Sequence, residues 1–169
     1  MYSSLFFLKF KNFFLKLRKI LNSKISFSKI KETDVLIWGT PGFIDIFNES
    51  KYHLVNLRNA NIIKVWGENY HFLVLLKCLF KFKFSLVDYS NEFIKLANPK
   101  IILSFLDNYS SFYLLKKNKY QKKILIQNAS RTNEDNTFKK NKSYKMNKVD
   151  FLFCHNKEMK KEYEKLLGS

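Results

Sequence analysis

The amino-acid sequence predicts an α/β domain built on a Rossmann-like, mainly parallel sheet that is flanked by helices. From Asp34 onward, short runs rich in β-branched residues alternate with longer runs of helical spacing, which is the pattern of βαβ units. The runs DVLIWG (34–39) and KIILSFL (100–106) are almost continuously apolar, as expected for strands that a parallel sheet buries on both faces. A chain of 169 residues is long enough to bury a substantial core. We therefore expect one Rossmann-like domain over residues 34–169.

The strands and helices are predicted in chain order from apolar spacing and from the residues that bound each run. Strands are short apolar runs, and they are predicted at 34–39, 52–57, 62–66, 100–106, 122–127 and 150–156. Helices are longer runs, and they are predicted at 69–82, 90–98, 109–118 and 157–168. Ser90 is the predicted N-cap of the second helix, Pro99 ends it, and Gly168 ends the last helix. Residues 23–33 are predicted to be a polar connector and residues 128–149 a polar loop.

The first 23 residues form a separate basic, amphipathic segment. If this segment is helical, its phenylalanines share one face and its five cations the other, which is typical of a helix lying in a membrane interface. A terminal helix packed on its own domain gives the same pattern, so both interpretations stay open. The uncharged stretch covers only residues 1–8, which is too short to span a bilayer, and no small-residue cleavage site follows it. We expect a helix over residues 1–23.

The chain is strongly basic, with 31 lysine and arginine residues against 14 acidic ones and a formal charge of +17. Such a charge attracts nucleic acids and anionic membranes alike. Only three of the cations are arginines, and lysine is enriched together with Asn, Ile and Phe, as an AT-rich coding sequence would produce. No aromatic–basic binding motif accompanies the charge. A nucleic-acid partner is therefore not expected, and an anionic membrane surface is the favoured partner.

Cysteine and histidine positions do not indicate a metal site. Cys78 and Cys154 each lie in an apolar run, as expected for small buried residues of a reducing compartment. His53, His71 and His155 share no ligand spacing with them. No metal is predicted.

The turn GTPGFID after the first strand raises the possibility of dinucleotide binding, for which three spaced glycines are required. Gly39 and Gly42 occupy the first two positions of G-x-x-G-x-x-G, but Asp45 occupies the third, where its carboxylate would lie near two phosphates. An NAD(P)-dependent sugar epimerase or reductase is therefore only an alternative, for which Tyr113 and Lys117 mimic a Tyr-x-x-x-Lys pair. The turn more simply opens the sheet and offers its backbone amides to another ligand or to none.

Polar residues follow several predicted strands at the point where each strand ends. Because the carboxyl ends of parallel strands meet at one edge of a sheet, and ligands bind there in open α/β folds, these residues are the predicted site. They are Gly39, Thr40, Asp107, Asn108, Gln127, Asn128, Arg131 and His155. Carboxylate and amide groups hydrogen-bond sugar hydroxyls, and an arginine can hold a phosphate, so the pattern indicates carbohydrate recognition. Each residue taken alone can equally cap a helix or a turn.

Residues 98–131, NPKIILSFLDNYSSFYLLKKNKYQKKILIQNASR, resemble a family of bacterial surface-carbohydrate biosynthesis proteins for lipopolysaccharide, O-antigen or capsule. The family pattern is Pro-Lys, an apolar strand, Asp-Asn, Phe-Tyr-x-Leu-Lys, and later Gln-Asn-Gly with a nearby Arg. The matching residues are Pro99, Lys100, Asp107, Asn108, Phe112, Tyr113, Leu115, Lys116, Gln127, Asn128 and Arg131. Ser104 stands where the family has Thr, and Ala129 where it has Gly. The likeness is weak but collinear from Asp34 to about Leu167.

The resemblance implies a glycosyltransferase-like protein with two Rossmann-like domains, the GT-B arrangement, in which this chain corresponds to the first, acceptor-facing domain. Substrate-binding roles are then expected for Gly39, Thr40, Asn108, Tyr113, Gln127, Asn128 and Arg131. Asp107 is the first candidate for a catalytic base and His155 the second. No cofactor is expected in this chain, because the nucleotide-sugar donor belongs to a second domain or a partner subunit.

The expected partners and location follow from the same resemblance. The acceptor is a glycan or glycolipid, and the protein is expected in the cytoplasm, peripheral to the inner membrane. The missing C-terminal domain, or a subunit that replaces it, is a further expected partner. A non-catalytic, membrane-peripheral module of the same pathway stays open as the alternative.

Overall fold

The structure is a computed structural model that describes residues 18, 20, 22–39, 60–63, 69–83, 85–106, 109–127 and 149–167. Its strands are β1 (Lys24–Ser26), β2 (Val35–Trp38), β3 (Ala60–Ile63), β4 (Asn69–His71), β5 (Ile101–Ser104), β6 (Lys122–Ile126) and β7 (Phe151–Phe153). Its helices are α1 (Phe72–Phe80), α2 (Leu86–Ala97), α3 (Ser110–Tyr113) and α4 (Lys157–Leu167). Among these residues, no helix combines the length and the apolar character needed to cross a bilayer.

Five parallel strands form the main sheet in the order β3-β2-β5-β6-β7. Val35 of β2 pairs with Ala60 of β3 on one side and with Ile101 of β5 on the other, and the same register continues to Trp38. The chain adds β3 beside β2, then returns to the other side of β2 for β5 and proceeds outward to β6 and β7. The predicted mainly parallel sheet with flanking helices is confirmed, and its strand order is compatible with the Rossmann-like class.

Trp38 anchors the core at the carboxyl end of β2. Its ring is 0% exposed and lies 5.7 Å from the rings of both Tyr109 and Phe112. The indole Nε1–H donates a 2.9 Å hydrogen bond to the Ser90 hydroxyl in α2, so the polar atom of this buried ring is satisfied. The apolar side chains with 0% exposure around it are Leu36, Val74, Ala97, Ile102, Phe112, Tyr113, Leu115 and Leu125.

The segment predicted as one helix over 69–82 consists of a strand followed by a shorter helix. Asn69–His71 form β4, which pairs in parallel with Lys24–Ser26, and only Phe72–Phe80 are helical. The predicted helix is wrong at residues 69–71, because the sequence predicts a connector, and no strand, over residues 23–33. That stretch contains the strand that pairs with β4, a pairing that spacing along the sequence does not reveal.

α1 ends in a Schellman-type turn in which a phenylalanine, Phe82, occupies the position that usually holds glycine. The Phe82 N–H donates to the carbonyl of Leu79 over 3.0 Å, and the Lys83 N–H donates to the carbonyl of Cys78 over 2.9 Å, which satisfies the last carbonyls of the helix. Phe82 takes the left-handed position of this turn, with φ 51°. Glycine usually fills that position, because a Cβ there costs roughly 1–2 kcal/mol. Phe82 is 85% exposed, so burial of its ring within the fold does not offset this cost.

α2 begins at Leu86, five positions earlier in the chain than a helix capped by Ser90 would begin. The hydroxyl of Ser85 accepts a 3.0 Å bond from the Asp88 N–H, and the Asp88 carboxylate accepts a 3.3 Å bond from the Ser85 N–H, which forms a capping box. The prediction that Ser90 is the N-cap was therefore wrong, because its hydroxyl lies in the core and accepts the indole bond. Asn98 closes the helix in the left-handed conformation, with φ 42°.

The remaining boundaries differ from the predictions mainly in length. β2, β5, β6 and β7 each lie inside a predicted strand, and α4 lies inside a predicted helix. β3 starts two residues before the predicted 62–66, and α3 covers one turn of the predicted helix 109–118. The strand predicted at 52–57 and the loop at 128–149 lie outside the described residues, as does most of the segment 1–23, of which Arg18 and Ile20 are helical.

Lys123 of β6 is a charged side chain buried in the core, with 0% exposure. Its Nζ donates 3.2 Å bonds to the carbonyls of Tyr113 and Leu115 and lies 5.2 Å from the centre of the Phe112 ring. Burial, assisted by the nearby Lys117 ammonium, lowers the pKa of Lys123 to about 8. The lysine therefore joins the turn after α3 to the sheet through hydrogen bonds rather than through an ion pair.

Candidate functional site

The strand order reverses direction near the centre of the sheet, between β2 and β5. β2 and β5 are neighbours there, with β3 on the far side of β2 and β6 on the far side of β5. In open parallel sheets this junction leaves a crevice beyond the carboxyl ends of the strands, and ligands bind in it. Gly39 follows β2 at this point, and Ser104 ends β5. The predicted site is therefore centred on this junction.

Gly39 and Ser104 fix the backbone on the two sides of the junction. Gly39 is buried with φ 78°, and its N–H donates a 2.8 Å bond to the carbonyl of Ile63. Glycine adopts this positive φ without steric cost. The Ser104 hydroxyl, which is 0% exposed, donates to the Trp38 carbonyl over 2.9 Å and accepts from the Leu106 N–H over 3.1 Å. Ser104 therefore holds the ends of the two central strands together.

Gln127 and His155 meet at the ends of β6 and β7. Gln127 is 2% exposed, and its backbone N–H donates to the carbonyl of Phe153 over 2.9 Å. Its side-chain Oε1 accepts a 3.2 Å bond from the backbone N–H of His155. The amide thus fixes the backbone at the end of β7, and His155 itself is exposed at the rim. The structure brings these two predicted site residues together.

A cavity of about 310 Å³ opens beyond the carboxyl end of β7. Oδ1 of Asn156 accepts a 2.8 Å bond from the Met159 N–H and thereby caps α4. Lys157 and Lys160 are both exposed at the first turns of this helix. The His155 imidazole, the Lys157 ammonium and the positive end of the helix suit the cavity to an anionic group such as a phosphate, while the Lys160 ammonium is shared with Glu164 at 3.6 Å. Its lining residues are Leu152, Cys154, His155, Asn156, Lys157 and Lys160.

Five predicted site residues lie outside the described part of the chain, namely Thr40, Asp107, Asn108, Asn128 and Arg131. In sequence they follow the described ends of β2, β5 and β6. Their roles in binding, and that of Asp107 as a base, stay predictions.

Tyr113 and Lys117 point to different parts of the fold. Tyr113 is 0% exposed and belongs to the hydrophobic core. Nζ of Lys117 lies 2.7 Å from Oδ1 of Asp150 and 3.4 Å from the Gln121 carbonyl, and both partners immediately precede strands, at the amino edge of the sheet. Burial alone would raise the pKa of Asp150, but the bonds from Lys117 and the Lys123 N–H outweigh it and lower that pKa. The described geometry therefore places Tyr113 in the core and Lys117 at the amino edge, so the two do not form a Tyr–Lys pair at the junction.

A second cavity, of about 430 Å³, lies between the small β1–β4 sheet and α2, and sequence reasoning did not anticipate it. Nδ1 of His71 is buried beside it without a hydrogen-bond partner, and burial lowers the pKa of this imidazole. The His71 backbone N–H donates to the Tyr89 hydroxyl over 2.9 Å. The sequence does not indicate this cavity, because its spacing predicts a helix at residues 69–71.

A third cavity, of about 370 Å³, lies at the amino edge around the Lys100–Asp34 ion pair. This edge is opposite the one at which open α/β sheets bind ligands.

Neither cysteine forms a disulfide; Cys78 is buried and Cys154 half-buried. Burial raises the pKa of Cys78 to about 11, so this thiol is protonated at neutral pH. In the parts of the chain that the structure describes, no three His, Cys, Asp or Glu side chains are grouped as metal ligands would be.

Compared with known proteins, the chain matches no protein-family model, no curated protein sequence and no solved structure.

Proposed function

We propose that the chain binds a phosphorylated glycan or glycolipid at the carboxyl edge of its sheet, as the acceptor-side domain of a glycosyltransferase-like protein of bacterial surface polysaccharide biosynthesis. The observation that carries this proposal is the strand order, which makes β2 and β5 neighbours at a change of direction. The crevice that such a junction forms is the usual ligand site of open α/β sheets. The sequence continues from these two strands into Thr40 and into Asp107-Asn108.

Two further observations support a sugar phosphate as the ligand. Amide and carboxylate side chains, which follow β5 and β6 in the sequence, hydrogen-bond sugar hydroxyls from several directions. The cavity beyond β7 adds His155, Lys157 and Lys160 on the same edge, and these groups attract a phosphate or pyrophosphate. In this proposal Asn108 and Asn128 bind the sugar and Arg131 binds the phosphate, whereas Gln127, which is 2% exposed, holds the backbone of the edge in place. The nucleotide-sugar donor is expected to bind to a second domain or a partner subunit.

Binding is tested by titrating the isotope-labelled chain with a water-soluble monosaccharide pyrophosphate and following the backbone amide signals of Gly39 and His155 by NMR. We expect both signals to shift, and we expect inorganic pyrophosphate alone to bind more weakly. Arg131→Gln removes a charge-assisted contact and should weaken binding about tenfold. Lys119→Gln removes a cation from the turn at the amino edge, beside Tyr120, and should leave the affinity unchanged. Shifts confined to residues around Lys100 would refute the proposed site.

Catalysis is tested with Asp107→Asn in membranes that also supply the donor-binding domain or subunit. Sugar transfer should fall steeply if Asp107 is the base, because the amide cannot accept a proton. Asp34→Asn is the matched control, since Asp34 is a half-exposed carboxylate at the amino edge, paired with Lys100 at 2.8 Å. Equal transfer by both variants would remove Asp107 from the role of base.

A non-catalytic, membrane-peripheral module of the same pathway is the second candidate function, and it is favoured by the exposed aromatic side chains of α1. A reductase or epimerase receives less support, because Asp45 interrupts the glycine pattern and Tyr113 is buried. Transfer activity separates the first candidate from the second.

A further inference from the structure

Helix α1 is apolar on both sides, although the described fold covers only one of them. Val74 and Cys78, four residues apart, are buried against the core. The opposite side of the helix carries large apolar side chains that remain in contact with solvent. These are Phe72 at 41%, Leu73 at 44%, Leu79 at 50% and Phe80 at 76% exposure, and Phe82 at 85% follows in the turn. We call these five side chains the outer face of α1. An amphipathic surface helix would carry polar residues there.

Phe82 supplies an independent indication that the outer face is used. It holds the left-handed position of the turn after α1, with φ 51°, where glycine avoids the steric cost. Its ring is 85% exposed. A residue that is conformationally costly and hardly buried in the fold suggests a role outside the fold.

The outer face is continuous with an aromatic side chain from the N-terminal part of the structure. The ring of Phe27, which follows β1, lies 5.0 Å from the ring of Phe72, and Phe27 is 73% exposed. β1 and β4 pair in parallel, with Ser26 opposite His71, so Phe27 and Phe72 follow the same ends of the two strands.

The charges around the outer face are positive. Lys77 of α1 is exposed, and Lys81 and Lys83 flank Phe82. Residues 72–83 contain no acidic side chain. The nearest acidic groups of α2 are engaged within the fold. Asp88 accepts the capping bond from Ser85, and Glu92, which is 5% exposed, binds Lys81 at 2.7 Å and Lys95 at 3.0 Å.

We propose that the outer face of α1 is a membrane-docking surface that inserts Phe80 and Phe82 into the interface of an anionic bilayer. Aromatic rings enter the boundary between headgroups and acyl chains, while lysine stems lie along the surface and their ammonium groups reach lipid phosphates. A nine-residue helix is suited to lying in this boundary, since crossing a bilayer requires about 20 residues. The inference needs no glycan binding and is independent of the proposed site.

A second copy of the chain fits this surface less well than an anionic lipid does. A two-fold symmetric contact would place the same surface on both partners, so lysines at positions 77 and 83 would approach their own copies in a protein of charge +17. An anionic bilayer instead complements those charges and covers the rings. Self-association therefore enters the test as a competing outcome.

The experiment measures co-sedimentation of the full-length chain with phosphatidylcholine vesicles that contain or lack phosphatidylglycerol. We expect binding to the vesicles with phosphatidylglycerol and much weaker binding to those without it. The double variant Phe80→Ser with Phe82→Ser should lower the partition coefficient at least about tenfold, because each ring contributes its own apolar transfer free energy. Lys77→Gln with Lys83→Gln should lower it about fivefold per charge on the anionic vesicles alone.

The matched control is Tyr120→Ser, which removes a side chain that is 77% exposed at the amino edge of the sheet and should bind vesicles as the unmodified chain does. The free energies of independent membrane contacts add, so their factors multiply in the partition coefficient. The phenylalanine variant should therefore lower the partition coefficient by the same factor whether or not residues 1–23 also bind the vesicles. Unchanged binding by the phenylalanine variant, or no binding by the unmodified chain, overturns the inference. So does a dimer that dissociates in that variant without any vesicle binding. Because the vesicles carry no glycan, each of these outcomes leaves the proposed glycan site untouched.

Discussion

Replacing Phe82 by glycine should stabilise the fold, although the substitution removes a large apolar side chain. The left-handed φ of 51° costs a residue with a Cβ roughly 1–2 kcal/mol. Glycine removes that cost but loses about 0.5–1 kcal/mol more conformational entropy on folding. The ring is 85% exposed, so little packing is lost. The expected net gain is about 0.5–1 kcal/mol in the free energy of unfolding, with a rise in Tm of about 1–4 °C.

The matched substitution is Phe80→Gly, two residues earlier and also mostly exposed, at 76%. Phe80 is the last residue of α1, where glycine lowers helix stability by about 0.5 kcal/mol. The two substitutions remove the same side chain and should change stability in opposite directions. Urea unfolding followed by tryptophan fluorescence, to which the buried Trp38 contributes, measures both. Destabilisation by Phe82→Gly would refute the reasoning, since it would mean that the ring packs against something that offsets its backbone conformation. If the docking surface is correct, the stabilised variant also binds anionic vesicles less tightly.

Three further predictions follow from single interactions. Ser85→Ala removes the capping box of α2 and should cost about 1 kcal/mol in urea unfolding; no loss would mean that Asp88 caps the helix alone. Ser90→Ala leaves the buried Trp38 indole N–H without its 2.9 Å acceptor and should cost about 1–3 kcal/mol, with Trp38→Phe added in a double-mutant cycle as the control. Because the pKa of Lys123 is about 8 in the fold and 10.5 ordinarily, the unfolded chain holds more protons above pH 8, and stability should rise from pH 8 to 9. In Lys123→Met that rise should disappear, and an equal rise in both proteins would assign it to another group.

The central strands could be predicted from the sequence because their signal is local. β2 and β5 lie within apolar runs long enough to be buried on both sides, and their boundaries were placed within two residues. β1 and β4 gave no comparable signal. Each has three residues, and their pairing joins Lys24 to Asn69 across 45 positions. A strand this short depends on its partner rather than on its own composition, so sequence reasoning assigned Asn69 to a helix.

The start of α2 was missed although the sequence carries it. Ser85 is followed three residues later by Asp88, which is the spacing of a capping box, whereas Phe93 stands three residues after Ser90. Only the first serine can form reciprocal bonds with the first turn. Ser90 is a suitable residue type for an N-cap but lacks this spacing, and the bond that it accepts from Trp38 is not visible in the sequence.

Two residues of the predicted site lie together in the structure, and their role in binding a ligand stays a prediction. Gln127 and His155 meet at the carboxyl edge, as expected from parallel strands. A sequence, however, does not distinguish an amide that faces a ligand from one that fixes the backbone. Oε1 of Gln127 accepts the His155 N–H, and the hydroxyl of Ser104 bonds to backbone groups on both sides of the junction. A polar residue at a strand end therefore does not reveal, by its type alone, whether its side chain faces a ligand or holds the backbone.

Composition alone does not account for the outer face of α1. An AT-rich coding sequence enriches phenylalanine throughout a chain, and scattered exposed phenylalanines need no explanation. The exposed large hydrophobic residues of the described part fall instead mainly in one place: six of the ten belong to the outer face or to its neighbour Phe27. The other four are Ile62, Tyr120, Phe151 and Phe153. A mutational bias does not by itself place the exposed side chains of Phe27, α1 and the following turn on one surface, and it does not favour a left-handed Phe82. Clustering in space with a conformational cost is what selection for a contact produces, and the vesicle experiment identifies that contact.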